Sequence, residues 1–365
     1  MSRADDAHWM ARALRLAARG RGTTRPNPMV GAVVVRNGRV VGEGWHRRPG
    51  EPHAEIHALR AAGAAARGAT VYVNLEPCAH HGRTPPCADA LIAAGVARVV
   101  AACVDPDPRV SGKGIAALRA AGIDVEVGVL AERACRLNEA YLKWTRTGLP
   151  FVSLKTAMSL DGKIATGSGE SKWITGERAR TVVHRLRARH DAVLVGVGTV
   201  LADDPQLTAR LAGARQPLRV VADSRGRTPA TARIMQTGDR PPVIAVTRLA
   251  PAARRERLAK AGAEVWVVPH SRGRLRLERL AARLAGIGMQ SVLLEGGGTI
   301  AASALAAGLV DRVYFFVAPK LIGGREAPTP VEGEGVRRLA DAWRIAGLSV
   351  RRVGEDLMIV GDVVR

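Results

Sequence analysis

Apolar positions in the first third of the chain alternate between helical and strand-like spacing. Met10, Ala13, Leu14 and Ala17 recur at three- and four-residue intervals and predict a helix over Ala7–Arg19. Gly31–Val35 and Val40–Gly44 read as short strands around Asn37-Gly38, a dipeptide suited to a tight hairpin turn. His53–Ala66 is alanine-rich and helical, Thr70–Leu75 extended, Cys87–Ala94 helical and Val96–Cys103 extended. Gly114–Ala121 reads as helix, Val125–Val127 as strand and Ala131–Thr145 as helix. The pattern breaks at Arg146-Thr147-Gly148-Leu149-Pro150, and Phe151–Leu154 begins a new strand. Beyond it, strands are predicted at Ala192–Val197, Leu218–Ala222, Pro242–Val246, Glu264–Val268, Ser291–Leu294, Arg312–Val317 and Leu357–Val363. Helices are predicted at Gly176–Arg189, Ala252–Ala261, Leu275–Leu284 and Ile300–Ala307. This alternation predicts layered α/β structure in two domains, residues 1–147 and 148–365.

Composition is compatible with that division. The 365 residues, 47% apolar, suffice for two ordinary cores. No apolar run approaches about 18 residues, so no transmembrane helix is expected. The acidic start Met1-Ser2-Arg3-Ala4-Asp5-Asp6 does not read as a signal peptide. Four cysteines are too few for a disulfide scaffold in so long a chain, and a reducing cytoplasm is the expected location. The net charge of +22 points to an anionic partner. Its arginines are dispersed, however, and aromatics for base stacking are only 3%. A phosphorylated small molecule fits better than nucleic acid, and no membrane partner is expected.

Four residues change the picture most. His53, Cys78 and Cys87 offer one imidazole and two thiolates, enough for three corners of a tetrahedral Zn²⁺ with the fourth open. Glu55, two residues past His53, can move a proton between a metal-activated water and a departing amine. H-x-E followed by P-C-x-x-C marks zinc deaminases acting on nucleobases. Here eight residues, Ala79–Pro86, separate the cysteines instead of two, and Gly82 with Pro85-Pro86 suits a looped excursion. Pro77 is expected to end the preceding strand, and Cys78 to sit where a helix begins, its thiolate favoured by the helix dipole. His57, His80 and His81 are rival ligands or substrate contacts. Cys103 and Cys135 read as buried structural thiols. Two other readings use the same residues: a nucleic-acid-editing deaminase with a basic accessory domain, and a structural zinc site completed by His57, His80 or His81.

With these residues assembled, the chain resembles the bifunctional deaminase–reductases of riboflavin biosynthesis over almost its full length. The resemblance rests on Arg25-Pro26-Asn27-Pro28-Met29-Val30-Gly31, Pro52-His53-Ala54-Glu55, the run Glu76–Cys87 and Lys155-Thr156-Ala157-Met158-Ser159-Leu160-Asp161-Gly162. It continues through Gly169–Thr175, Leu201–Pro205 and Glu295-Gly296-Gly297-Gly298-Thr299. The long gap between the cysteines belongs to this family's pattern. The resemblance implies a cytidine-deaminase-like α/β/α domain followed by a dihydrofolate-reductase-like α/β domain. The first would deaminate 2,5-diamino-6-(5-phosphoribosylamino)pyrimidin-4(3H)-one on zinc. The second would reduce the ribosyl group with NADPH to give 5-amino-6-(5-phosphoribitylamino)uracil.

Carried over by motif, His53, Cys78 and Cys87 would hold zinc, Glu55 would shuttle the proton and Asn27 would contact the pyrimidine. Ala157, Trp173, Thr199, Asp203, Ser224, Gly297, Gly298 and Thr299 would line the NADPH site. Lys155, Ser171, Leu207, Arg210 and Glu295 would meet substrate, Arg210 being suited to its phosphate. The glycine turn after Ser291–Leu294 independently suits a phosphate at a helix N-terminus, and Val195-Gly196-Val197-Gly198-Thr199 repeats the logic. Neither is a full dinucleotide fingerprint. Packing in a core would equally explain Trp173, and a turn cap Asp203. One of the three glycines at 296–298 replaces a Pro or Ala of other members, which should loosen the turn without changing its role. Family members assemble as dimers or tetramers, so a homo-oligomer is expected.

Overall fold

The computed structural model describes residues 3–80 and 85–364. It consists of two compact units, Met1–Gly148 and Leu149–Arg365. His81 as a rival ligand, and the excursion at Gly82, lie outside the described residues.

The first unit runs α1 (Arg3–Ala17), β1 (Gly31–Arg36), β2 (Arg39–Trp45), α2 (Ala54–Ala62), β3 (Thr70–Val73), α3 (Cys87–Ala93), β4 (Arg98–Ala101), α4 (Lys113–Ala120), β5 (Asp124–Val127), α5 (Ala131–Leu137) and α6 (Glu139–Thr147). Its sheet has the order β2-β1-β3-β4-β5. Strand alternation divides the core. Ala32, Val34, Val71 and Val73 face α2, α3 and α4, while Val33, Val35 and Tyr72 face α1 and α5. The result is the expected α/β/α sandwich. Asn37 and Gly38 turn the β1–β2 hairpin with φ of 49° and 71°.

Two predicted elements end differently. The helix expected over Ala131–Thr145 breaks at Asn138, whose amide side chain bonds both the N–H and the carbonyl of Met29. Tertiary hydrogen bonding here overrides local propensity. The strand after Thr70 stops at Val73, ahead of Pro77, because Asn74 turns inward to accept from Gly31 N–H and donate to the Met29 carbonyl.

The second unit runs β6 (Phe151–Ser159), α7 (Glu177–Arg189), β7 (Ala192–Gly196), α8 (Val197–Asp203), β8 (Leu218–Ala222), α9 (Arg233–Gln236), β9 (Val243–Val246), α10 (Ala252–Lys260), β10 (Glu264–Val267), β11 (His270–Ser271) and β12 (Arg274–Leu275). It continues with α11 (Leu277–Gly286), β13 (Ser291–Glu295), α12 (Gly298–Ala306), β14 (Val310–Ala318), β15 (Arg344–Val353) and β16 (Asp356–Val364). The large sheet has the order β10-β9-β8-β7-β13-β6-β14-β16-β15, parallel except for β16, which runs antiparallel to both β14 and β15. Helices α11 and α12 cover one face, and α7 and α10 the other. Strand β15 escapes the sequence reading. Nine of its ten residues are exposed, so no buried face imposes a period, and Gly347 at φ 58° sits in a register shift.

Candidate active sites

In the first unit, the site is carried on α2. Gly42 and Gly44 let that helix press on β2: a Cβ on Gly42 would meet Ala58 O at 2.2 Å, and on Gly44, Ala54 O at 2.3 Å. His53 is the N-cap of α2, and Glu55 lies buried in its first turn. The Glu76-Pro77-Cys78 segment is fixed by Glu76. Its buried carboxylate accepts from the backbone N–H groups of Asp105, Gly112, Gly114 and Ile115 around the start of α4. A Cβ on Gly114 would lie 1.9 Å from Pro77 O, so only glycine permits this approach. The helix expected to open at Cys78 opens at Cys87 instead. Glu76 spends its hydrogen bonds on α4, and Cys78 stays in the loop, where its sulfur accepts from Cys87 N–H at 3.3 Å.

The ligand atoms of His53, Cys78 and Cys87 lie within 4.8 Å of one another. His53 Nδ1 is 3.2 Å from Cys87 Sγ and 3.6 Å from Cys78 Sγ. Hydrogen bonds from Cys87 and His53 hold the Cys78 thiol far below its usual range, whereas the neighbouring Cys78 sulfur and burial push Cys87 up. Two sulfurs and an imidazole this close are a donor set for a soft-to-borderline cation, and zinc fits it. Among the described residues no fourth His, Cys, Asp or Glu joins the cluster; neither His57 nor His80 does. Burial pushes Glu55 up to about 7, and its Oε2 has no hydrogen-bond partner among the described residues. Asn27 Nδ2 contacts His46 Nε2 at 3.0 Å, and the His46 ring packs edge-on to His53 at 5.3 Å.

In the second unit, a cavity of about 700 Å³ opens at the C-terminal ends of β6, β7 and β13, within the usual size of small-molecule sites. Buried Glu295 ends β13. Burial opposes its charge, but Arg187, helped by Lys155, holds it at about 2. Arg187 grips both carboxylate oxygens at 2.7 and 2.8 Å, and Lys155 Nζ lies 3.8 Å away. Ser171 Oγ donates to Asp203 Oδ1 at 2.6 Å. Leu207, buried in the wall, adopts φ 57°, a strained conformation for a branched side chain.

Helix α12 starts at Gly298 behind the N-cap Gly297. A Cβ on Gly298 would collide with Thr329 O at 2.4 Å, whereas Gly297 has open space around it. Gly297 is thus the position that tolerates Pro or Ala. Its φ of −70° already matches proline, so the turn is not loosened by a strained glycine. A glycine-edged helix start at a cavity mouth fits a dinucleotide phosphate.

The sequence profile of the RibD C-terminal domain matches residues 150–359, and that of the cytidine and deoxycytidylate deaminase zinc-binding region matches residues 3–103. The riboflavin biosynthesis protein RibD of Escherichia coli K12 is 46% identical, over 97% of this chain and 98% of its own. The chain belongs to the RibD family. Among solved structures, RibD of Acinetobacter baumannii (form 1) superposes with a TM-score of 0.88 at 42% identity, covering 100% of both chains. A diaminohydroxyphosphoribosylaminopyrimidine deaminase/5-amino-6-(5-phosphoribosylamino)uracil reductase of Thermotoga maritima gives a TM-score of 0.85 at 34% identity, covering 99% of each.

As a RibD-family protein, the chain is a bifunctional enzyme of riboflavin biosynthesis, a zinc-dependent deaminase joined to an NADPH-dependent reductase. The match to RibD proteins through both units does not favour a nucleic-acid editor. No helix among the described residues is long and apolar enough to cross a membrane.

The cavity of this RibD-family reductase unit gathers Lys155, Ala157, Ser171, Trp173, Thr199, Asp203, Leu207, Arg210, Glu295, Gly297, Gly298 and Thr299. Ser224 is not among its lining residues; its hydroxyl accepts from Leu275 N–H beyond the end of β8, the strand next to β7. Trp173 is 58% exposed with Arg180 stacked on its ring, which excludes the core-packing explanation. Sequence reasoning missed Arg180, His184 and Arg187, all of which line the cavity. The signal was present, since positions 180, 184 and 187 share one face of α7 while Ala179, Val183 and Leu186 are buried.

Proposed function

We propose that residues 1–147 deaminate 2,5-diamino-6-(5-phosphoribosylamino)pyrimidin-4(3H)-one and that residues 148–365 then reduce the ribosyl group of the product to ribityl. The observation that carries this reading is the buried carboxylate of Glu55 beside a three-donor cluster. His53, Cys78 and Cys87 would hold zinc, which supplies an activated water when bound. Glu55 Oε2 would accept a proton from that water and return it to the departing amino group. Asn27, backed by His46, would orient the pyrimidine.

In the reductase cavity, Ala157, Trp173, Thr199, Asp203, Gly297, Gly298 and Thr299 would hold NADPH, with Ser224 meeting a part of it that extends past the cavity along the same sheet edge. NADPH supplies the hydride. Lys155, Ser171, Leu207 and Glu295 would position the ribosyl group, and Arg210 its phosphate. A phosphorylated pyrimidine, not nucleic acid, is the partner, in the cytoplasm. The exposed edge strand β15, with Ile345, Leu348 and Val350 at the surface, supports a dimer or tetramer.

Ammonia release and NADPH consumption with the diaminopyrimidine substrate test the reading. Wild type should show both. Glu55→Ala should lose deamination by a factor of about 10²–10⁴ and still oxidise NADPH when given the deaminated intermediate. Persistent deamination in that variant would remove the proton-shuttle role.

A further inference from the structure

Four arginines approach one region of the reductase cavity. Burial and the charges of Arg187, Arg233 and Arg180 all press on Arg210. Two acids of the cavity wall are already engaged: Glu295 by Arg187, and Asp203 by Ser171. Arg210 is an exposed residue of the cavity wall, where a long cation among like charges would swing freely without an anchor. What holds it is His184. Arg210 Nε donates to His184 Nε2 at 3.1 Å.

The Arg210 backbone N–H also points at the ring, 3.3 Å from His184 Nδ1. A neutral imidazole has one N–H and one accepting nitrogen. Both ring nitrogens face an N–H of Arg210, so the neutral ring accepts from one of them, and the tautomer protonated at Nδ1 turns its lone pair to Arg210 Nε. The Thr208 carbonyl, two residues before Arg210, accepts from Arg187 Nη1 at 3.2 Å. The Nη1 and Nη2 groups of Arg210 have no partner among the described residues and form the edge that binds an oxyanion bidentately.

We propose that His184 is a positioning residue for phosphate recognition: it fixes the Arg210 guanidinium through Nε and leaves the two terminal nitrogens for the substrate phosphate. A carboxylate at 184 would hold Arg210 equally well but would neutralise it and compete with the phosphate. A neutral acceptor orients the cation without discharging it. The inference rests on the reading of Arg210 as the phosphate ligand.

Steady-state kinetics of the full-length, zinc-loaded enzyme with NADPH and 5-amino-6-(5-phosphoribosylamino)uracil test it. His184→Leu should raise KM for the uracil substrate about tenfold, the scale of one lost charge-assisted hydrogen bond, with KM for NADPH unchanged. In the same variant kcat should stay within about twofold. His184→Gln, whose amide oxygen can accept near the Nε2 position, should restore most of the loss. In an Arg210→Ala background, His184→Leu should add nothing. An equal effect in both backgrounds, or a change confined to kcat or to KM for NADPH, overturns the proposal. If Arg210→Ala alone leaves the uracil KM unmoved, it is the phosphate reading of Arg210 that fails, and the proposal falls with it.

Discussion

In the N-terminal unit, two sulfurs and an imidazole converge beside a buried carboxylate, a donor set suited to a metal ion. In the C-terminal unit, Arg187 already grips the buried Glu295 on both oxygens, with Lys155 behind it. The first site offers donors to an ion, whereas in the second the buried carboxylate is paired by the protein's own cations and the cavity is open to an exchangeable cofactor. A resident metal and a shuttling dinucleotide ask for these different arrangements.

Zinc removal should separate the two most sharply. Prolonged dialysis against a strong chelator should abolish ammonia release and leave NADPH-dependent reduction of the deaminated intermediate near its starting rate. Cys87→Ser should reproduce the effect, with zinc content by elemental analysis well below one per chain. Full zinc content in that variant would mean that Cys87 is not a ligand. A matching loss of reductase activity would mean that the second site also depends on the metal.

The same contrast explains what could be read from the sequence. Metal chemistry demands particular residue types, so His53, Glu55, Cys78 and Cys87 stand out at short range, and the fold gathers the three donors as expected. The reductase cavity is assembled from strand ends between Lys155 and Glu295, where backbone and shape matter more than residue type. Ala157 and Leu207 carry no chemical signal by themselves, and only the family resemblance pointed to them. The polar face of α7 was visible as spacing, but its three residues look like ordinary solvated positions until the cavity is seen. Asn138 and Glu76 were illegible for another reason. Their partners, Met29 and the start of α4, are remote in sequence.

Glycine substitutions sharpen the comparison at intermediate size. Gly114→Ala places a methyl against Pro77 O, a backbone atom that cannot yield without moving Cys78. It should destabilise the first unit by about 1–3 kcal/mol and lower zinc retention during chelation. Gly297→Ala faces open space at the start of α12 and should change stability by no more than about 0.5 kcal/mol. Thermal melts of both variants, read beside zinc release, check the pair. Similar melting shifts would contradict the close-packed support assigned to the metal loop.

The smallest effect expected is an acid slope. Glu295 is held at about 2 against an ordinary value of 4.5, so its folded form releases its proton more readily than the unfolded chain does. Its contribution is therefore fully present above about 4.5 and lost as pH falls toward 2. Urea unfolding of wild type and Glu295→Gln at a series of pH values isolates this group, because the other carboxylates cancel in the difference. Glu295→Gln should be the less stable protein near neutrality, since it leaves Arg187 buried beside a neutral amide. Its disadvantage should shrink on acidification with a slope of at most about 1.4 kcal/mol per pH unit, the value for one proton. A gap that stays constant through that window would mean that Glu295 titrates as it does in water. The pairing of Glu295 with Arg187 would then not be what distinguishes the reductase cavity.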